Sequence, residues 1–469
     1  MKITRRELLR GAGSLAVILI GDGVMGAAKR KHSRRKSGGS KGAGSKRARS
    51  KRSSKRTRAV KSSRVAETGP LSGAKLFEDV ITYYNFGDHR TASEADLRTS
   101  RWLADQLRAA GLQTTFQPFS LRQFFLRQSQ LSIGNRPIRC FPLWFPRSAS
   151  PAIISQLGMH DTRTPRALKG NIAVVRFPFG SGAMSDGSGH AEIIQAAAKD
   201  GAAAVVAITE GSTKEIIALN SPAGAEPWPI PVVLVGERDA AEIASAVGSR
   251  VIATLLIDGI DDHNATARNV IGRLDRGKDL IVVSTPQSGW FRCAAERGPG
   301  IALFLGLARW ASQRTSESSF LFVSTSGHEL GGLGMRAFQK ELAPPKGRVV
   351  CWLHLGAGIA AYPWEETSTG WRRLLEPDSR RYLMSSPDLA PLLATTFAGQ
   401  PGLTPTTGRA VGEFEFMLKA GYRTFGIAAG HRFHHTPADS PEMTGPAILE
   451  PVARALTVTL DTIESNPIR

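Results

Sequence analysis

Two polar segments in the second half of the chain carry residue types that bind metal ions and activate water. His328 and Glu329 lie in GHELGGLG at 327–334, directly after an apolar run, and His435 lies in HHTPADS at 434–440. Imidazole and carboxylate groups are usual ligands of catalytic zinc, which takes three protein ligands and leaves one position for water. The two segments together favour a zinc-dependent hydrolytic site, although each motif alone is a weak signal.

The order and local sequence of these segments resemble the zinc-dependent aminopeptidase family, which also includes glutamate carboxypeptidases. The resemblance covers nearly all of residues 76–469. It implies two metal ions, about 3.5–4 Å apart, that share one bridging carboxylate. It also implies a Glu-Glu pair, in which the first residue is the general base and the second is a metal ligand.

Some positions of the implied site are substituted. The family has His-x-Asp after the first sheet strand, but here Pro286 stands at the His and Ser288 at the orienting Asp. Proline offers no electron pair to a metal, so that ligand is lost. Glu296 stands at the bridging Asp, where its extra methylene shifts the carboxylate by about one bond length. It could instead cap the helix that begins near Gly300.

The Glu-Glu pair of the family reads His328-Glu329 in this chain. The resemblance makes Glu329 a metal ligand and puts His328 at the position of the catalytic base. His328 could still take a proton from water, since free imidazole titrates near neutral pH. It could also bind a metal or simply pack in place. Loss of a carboxylate base costs about 10²–10⁴ in rate.

The remaining implied ligands follow two later strands. The Asp ligand of the family falls on His354 in one register and on Gly356 in the other. With His354, one metal site would keep Glu296, His354 and His435. With Gly356, neither metal site would have three ligands. His435, in His-Thr-Pro-x-Asp, fills a ligand position of the family, and Asp439 could orient its loop.

Strands and helices alternate around these segments. Apolar runs at 280–285, 320–324 and 349–355 predict strands, and helical spacing of apolar residues at 301–308 predicts a helix between the first two. Such alternation predicts an α/β fold with a mostly parallel sheet and helices on both faces. In these folds, functional side chains gather at the carboxyl ends of the strands.

Residues 131–262 differ in character and resemble the protease-associated domain that many members of this family carry as an insertion. Strand and helix patterns alternate there from 172 to 235. The resemblance divides the body into a metallopeptidase-like domain, 76–130 and 263–469, and this inserted α/β domain. The insertion has no evident catalytic group, which favours a lid, specificity or interaction role.

The N-terminus has a composition of its own. Residues 1–28 have the order of a twin-arginine export signal, with an arginine pair, an apolar stretch and small residues at the cleavage site. Residues 29–64 hold 17 Lys or Arg residues and no acidic residue, within a basic tail at 29–75 that we expect to be disordered. The net charge of +21 therefore belongs mainly to the tail. Nucleic acid is not an expected partner of the nearly neutral body.

These observations leave three functional alternatives open. The favoured one is an exported, periplasmic or envelope-associated protein with impaired or lost peptidase activity, which binds peptides or envelope components and holds at most one zinc ion or none. The second is an active metal-dependent exopeptidase with a reduced metal site and an altered base. The third is a binder of the anionic envelope surface, or of nucleic acid, through residues 29–64. The first is favoured because each lost ligand weakens metal binding.

Overall fold

The computed structural model describes residues 69–161, 168–178 and 189–465. The predicted export signal at 1–28 and the predicted basic tail as far as residue 68 lie outside the described residues. Within the described ranges, no helix is both long enough and apolar enough to cross a membrane.

The described residues form a mixed sheet of 14 strands and a separate two-stranded hairpin. Numbered along the chain, the strands are β1 (Gln113–Ile133), β2 (Arg136–Ile138), β3 (Phe141–Pro142), β4 (Ala149–Met159), β5 (Ile172–Phe177), β6 (Ala204–Thr209), β7 (Val232–Gly236), β8 (Ile252–Leu274), β9 (Leu280–Pro286), β10 (Ser319–Thr325), β11 (Val349–Leu355), β12 (Trp364–Thr367), β13 (Gly370–Arg373), β14 (Arg381–Ser385), β15 (Pro405–Thr407) and β16 (Thr424–Ala429).

Helices cover both faces of the large sheet. They are α1 (Gly73–Tyr84), α2 (Glu94–Ala109), α3 (His190–Lys199), α4 (Ala240–Ser249), α5 (Gly298–Gln313), α6 (Leu333–Glu341), α7 (Ala390–Thr396), α8 (Phe414–Lys419) and α9 (Pro446–Ser465).

Four adjacent parallel strands form the part of the sheet that positions the polar segments. β9 pairs with β10 on one side and with β11 on the other, and β11 pairs with β16. Their side chains are buried on both faces, as expected for parallel strands between helices. Helices α1, α5 and α9 pack against one face, and α6 and α8 against the other. Because the strands are parallel, their carboxyl ends meet at one edge.

Two long antiparallel strands, β1 and β8, join this part of the sheet to the insertion. They pair from Gln113↔Arg273 to Ile133↔Ala253. The C-terminal end of β8 pairs with β10, and its N-terminal end pairs with β4. Strands β4 to β7 then continue in parallel. The domain boundary predicted at 130/131 lies inside β1, and the one predicted at 262/263 lies inside β8.

The predicted α/β fold, with a mostly parallel sheet, helices on both faces and an inserted α/β domain, is confirmed. The predicted strands at 280–285, 320–324 and 349–355 correspond to β9, β10 and β11. Sequence patterns did not predict α1 or α9. In α9 the reason is physical, because Pro451 lies inside the helix and proline usually argues against one.

Candidate functional site

Polar side chains from four segments meet at the carboxyl ends of the parallel strands. The segments follow β9, precede α5, follow β10 and follow β16. Apart from the partly buried His434, each side chain of this group belongs to a residue at most 3% exposed. We call the group the site cluster; it consists of Ser288, Glu296, Arg297, Glu329, His434 and His435.

Arg297 places its guanidinium between two carboxylates predicted to bind metal. Its Nη2 lies 2.7 Å from Glu329 Oε1 and 3.1 Å from Glu296 Oε1. Burial would lower the pKa of Arg297, but these two carboxylates raise it. Burial would likewise raise the pKa of Glu296, but Arg297 and His435 hold it well below its ordinary range. Arg297 and Glu296 are therefore both charged, and the chain itself supplies a cation at this point.

Ser288 satisfies the second oxygen of Glu329. Its Oγ donates to Glu329 Oε2 at 2.6 Å and accepts from the backbone N–H groups of Gly327 and His328 at 3.0 and 3.2 Å. With Arg297 on the other oxygen, both carboxylate oxygens of Glu329 have a partner from the chain. An Asp at 288 would instead bring a second negative charge against Glu329.

Two other positions implied by the resemblance carry no ligand atom. Pro286 ends β9 and lies opposite Thr325 of β10. Gly356 follows β11, and a Cβ there would lie 2.9 Å from the Ile427 carbonyl oxygen and 3.0 Å from Ala428 Cβ. The end of β16 therefore leaves no room for an Asp at 356 unless the backbone moves.

His354 is a core histidine with its own hydrogen bond. Its Nδ1 lies 3.0 Å from Ser284 Oγ, which also accepts from Trp352 Nε1 at 2.8 Å. The Ser284 hydroxyl and the imidazole are thus hydrogen-bonded to each other, and burial lowers the pKa of His354 to about 4. His354 does not join the group of described residues whose metal-ligand atoms converge.

His328 pairs with Glu413, a residue for which the sequence predicts no role. His328 Nδ1 lies 3.2 Å from Glu413 Oε1, and Glu413 Oε2 accepts from Thr325 Oγ1 at 2.8 Å. Burial would raise the pKa of Glu413, but its hydrogen bond with His328 and the charge of that imidazole lower it. A carboxylate thus holds the imidazole at the position of the family's base.

Glu296, His434 and His435 bring potential metal ligands together. One ligand atom from each lies within 4.8 Å of the others, and His435 Nε2 is 3.4 Å from Glu296 Oε1. Glu296 Oε1 lies within ion-pair distance of Arg297 and His435, but Glu296 Oε2 and Nδ1 of His434 are buried without a hydrogen-bond partner. No side-chain hydrogen bond caps α5, so Glu296 does not act as its cap. Buried polar atoms without partners call for an explanation, and a bound ion is one.

The inserted domain orients His435. His435 Nδ1 donates to the Ala218 carbonyl oxygen at 3.0 Å, and Ala218 N donates to the His435 carbonyl oxygen at 2.9 Å. These bonds turn Nε2 toward Glu296 and hold His435 at a left-handed φ of 58°. Asp439 lies 3.4 Å from His431 Nε2 in its own loop, and it also accepts from the backbone N–H groups of Ala295 and Glu296 at 2.8 and 3.0 Å. Asp439 therefore positions Glu296.

Residues 218–223 of the inserted domain cover the site cluster. Ser221 N donates to the Glu329 carbonyl oxygen at 2.8 Å. Trp290 Nε1 donates to Asn220 Oδ1 at 2.9 Å. Together with the two bonds to His435, these contacts fasten the segment at both sides of the cluster. A peptide could approach the cluster along this side only after the segment moved.

The site cluster does not fit the two zinc ions that the resemblance implies. Both oxygens of Glu329 already have partners, and Arg297 brings a positive charge to 3.1 Å from Glu296. A single ion is a different case, since Glu296, His434 and His435 offer the three ligands that a zinc site needs. The donor set therefore fits at most one zinc ion.

Three residues at or near the site were missed by the sequence reasoning. Arg297 directly follows Glu296, and a charged pair amid the small residues of CAAERGPG was a usable signal. His434 is adjacent to His435 in HHTPADS, but the sequence analysis assigns no role to it. Glu413 has no local signal, because its partner His328 lies 85 residues away in sequence.

Comparisons with known proteins agree with this fold. The PA domain family matches residues 147–243, which lie within the predicted insertion at 131–262. A zinc aminopeptidase from Bacillus subtilis is 18% identical with a TM-score of 0.67, over 84% of this chain and 95% of that chain. A peptidase precursor from Shewanella amazonensis is 17% identical with a TM-score of 0.64, over 84% and 93% of the two chains. No curated protein matches the sequence.

An aminopeptidase from Aneurinibacillus sp. strain AM-1 is also similar, at 16% identity with a TM-score of 0.57, over 83% of this chain and 93% of that chain. At these identities the likeness establishes the fold. The chain has a zinc aminopeptidase-like fold that contains a PA domain, as the sequence resemblance predicted.

Proposed function

We propose that this chain is an exported protein of zinc aminopeptidase-like fold that binds peptides or envelope components without hydrolysing them by two-metal chemistry. The observation that carries the proposal is the Arg297 guanidinium, which contacts both Glu296 and Glu329. The resemblance implies that Glu296 and Glu329 bind a pair of metal ions, but here both carboxylates contact one arginine. Because Arg297 is part of the chain, it lies between the carboxylates whether or not zinc is supplied.

The environment of Arg297 supports the proposal energetically. Its side chain is 1% exposed, and those of Glu296 and Glu329 are at most 3% exposed. Breaking a buried ion pair leaves an uncompensated charge and costs about 3–5 kcal/mol. A zinc ion that displaced Arg297 from both carboxylates would therefore bind against that cost.

The base position supports the same reading. A Glu there would deprotonate water, but His328 occupies it and is held by Glu413 at 3.2 Å. Residues 218–223 also cover the cluster. A binding role remains compatible with both features, because it needs neither an activated water nor access of a scissile bond to a metal. Peptides are the proposed ligand class because the similar folds include aminopeptidases.

The second candidate is an exopeptidase that works with one zinc ion. The favouring observation is the group of Glu296, His434 and His435, with its buried atoms that lack hydrogen bonds. These residues would hold the ion, which would supply Lewis acidity when bound. His328, paired with Glu413, would accept a proton.

The third candidate, binding through residues 29–64, is supported by the 17 basic residues of that segment.

Aminopeptidase assays separate the first two candidates. The full chain, folded in the cytoplasm and saturated with zinc, is tested on amino-acid p-nitroanilides. The proposal expects no turnover above that of a metal-free sample. Turnover that needs one zinc per chain and disappears in both H435A and H328A would favour the one-zinc exopeptidase.

A further inference from the structure

A groove of about 610 Å³ is lined by residues of the β12–β13 hairpin, by Arg372 and Arg373 at the end of that hairpin, and by Glu442. Its walls include two indole side chains, Trp364 and Trp371, and two threonines, Thr367 and Thr369. A volume in this range suits a small organic ligand. None of the residues in this groove belongs to the site cluster.

The two indoles are fixed from behind. Trp364 and Trp371 each pack against Phe433 with ring centroids 5.7 Å apart, at 86° and 74°. Both are only partly buried, so indole surface remains at the groove. A rigid, partly uncovered indole offers a flat apolar face, and the apolar face of a pyranose ring stacks on such a surface. Little side-chain entropy is lost on binding, because Phe433 already holds the rings.

The groove also carries a guanidinium that has no ion pair among the described residues. Arg373 makes no ion pair in the described residues; it lies 4.6 Å over the Tyr362 ring and donates to a backbone carbonyl oxygen at 3.4 Å. Arg432, which is outside the lining but lies 5.4 Å over the Trp371 ring, makes none there either. The second arginine of the wall, Arg372, is paired with Glu365.

The only acidic residue in the described lining is Glu442, whose Oε1 accepts from Ser440 Oγ at 3.3 Å. Arg373 in the wall and Arg432 beside Trp371 both lack an ion pair in the described residues, against the single carboxylate of Glu442. These guanidinium groups, together with the hydroxyls of Thr367 and Thr369 in the wall, favour a ligand rich in acceptor oxygens.

We propose that this groove binds an acidic sugar, with the pyranose ring on the indoles of Trp364 and Trp371 and its carboxylate at Arg373. The hydroxyls of Thr367 and Thr369 would hydrogen-bond the ring substituents. An acidic peptide could use Arg373, but it would not need two flat apolar faces. The proposal does not depend on the loss of the metal site, because none of its residues contributes to the site cluster.

The test compares two sugars that differ by one carboxylate. The full chain is titrated with the methyl glycosides of N-acetylmuramic acid and N-acetylglucosamine by NMR and calorimetry. We expect the acidic sugar to bind several-fold more tightly. W371A should weaken binding of both sugars by roughly tenfold, and R373Q should weaken only the acidic one to the level of the neutral one. W102A and R101Q, outside the groove, should change neither affinity.

Each variant is first checked for unchanged far-ultraviolet circular dichroism and thermal unfolding. If W371A unfolds, W371F takes its place, with a smaller expected loss. No saturable binding of the acidic sugar to the unmodified chain would overturn the proposal. Equal affinities of W371A and the unmodified chain for the acidic sugar would overturn it too. So would binding of a glutamate-containing tripeptide that is lost in R373Q, if neither sugar binds.

Discussion

Arg297 and Glu329 form an ion pair of 2.7 Å in which neither side chain is more than 3% exposed. The pair lies where the zinc aminopeptidase resemblance implies a bond between a metal and a carboxylate. One helix N-terminus thus contributes both the bridging-position acid, Glu296, and the arginine that neutralises it. This relationship leads to the first prediction.

Arg297→Met should destabilise the protein and make it respond to zinc. Removal of the guanidinium leaves Glu296 and Glu329 buried without their cation, at an expected cost of about 3–5 kcal/mol in unfolding free energy. Zinc should recover part of that loss, because the freed carboxylates can then join His435 as ligands. Thermal unfolding with and without zinc measures both effects.

Arg381→Met is the matched control for this variant. Arg381 is also buried, at 3% exposed, but it donates only to carbonyl oxygens of Ile359 and Pro401. The Arg381→Met variant should be less stable than the unmodified chain, and zinc should not restore its stability. If zinc raised the melting temperature of both variants equally, the metal would be acting elsewhere.

Asp96 should make stability depend on pH. Burial raises its pKa to about 6, although hydrogen bonds from Ser326, Gln287 and the Ala92 backbone lower it in part. Because the folded pKa exceeds the unfolded one, the stabilising contribution is complete below about pH 4 and is lost as pH rises through 6. The change from about 3.9 to about 6 corresponds to ~3 kcal/mol.

Urea unfolding of the unmodified chain and of D96N between pH 4 and 7.5 tests this. The difference in unfolding free energy between the two should fall by up to ~3 kcal/mol across that range, whatever the constant cost of the amide. D105N, at an exposed position, should show no such trend. Parallel pH profiles for D96N and the unmodified chain would rule out a titrating Asp96.

Export through the twin-arginine route remains a prediction from residues 1–28. Changing Arg5 and Arg6 to Lys should leave the precursor in the cytoplasm, since the arginine pair is the part of the signal that this route reads. Cell fractionation measures the distribution. The control is Lys2→Arg, a substitution outside the arginine pair. Unchanged delivery of the double variant would reject this route.

The basic tail at 29–64 should bind anionic vesicles in a salt-sensitive way. Its 17 basic residues each contribute about 1 kcal/mol near such a surface, and the interaction is screened within a Debye length. A chain that begins at Val65 should lose this binding and keep its circular dichroism spectrum. Vesicle sedimentation at low and high salt measures the difference. Equal binding by both chains would locate the contact in the body.

Local patterns predicted the fold well because strands such as β9 and β10 are continuous buried runs whose character is visible in sequence. The family resemblance, in contrast, placed Glu296 and His435 in one site, and they lie 3.4 Å apart in the structure although 139 residues separate them. That prediction came from the order of motifs inherited with the fold, since spacing alone does not reveal a contact over such a distance.

The contacts that decide the chemistry were beyond local patterns. Ala218 belongs to the insertion, and its bonds to His435 span 217 residues. Glu413 reaches His328 from the start of α8. Gly356 fails as a ligand position because of its distance to β16, which depends on how two strands pair. Such long-range contacts follow from the packing of elements, and no short window of sequence contains both partners.

The central claim is that Arg297 replaces metal between Glu296 and Glu329, and zinc stoichiometry tests it most directly. The full chain is folded in the cytoplasm, purified without chelators, and analysed for zinc by mass spectrometry, with the P286H/S288D/H328E/R297A variant as the comparison. We predict at most one zinc ion per unmodified chain and a higher content in the variant. Two tightly bound zinc ions in the unmodified chain would contradict the account.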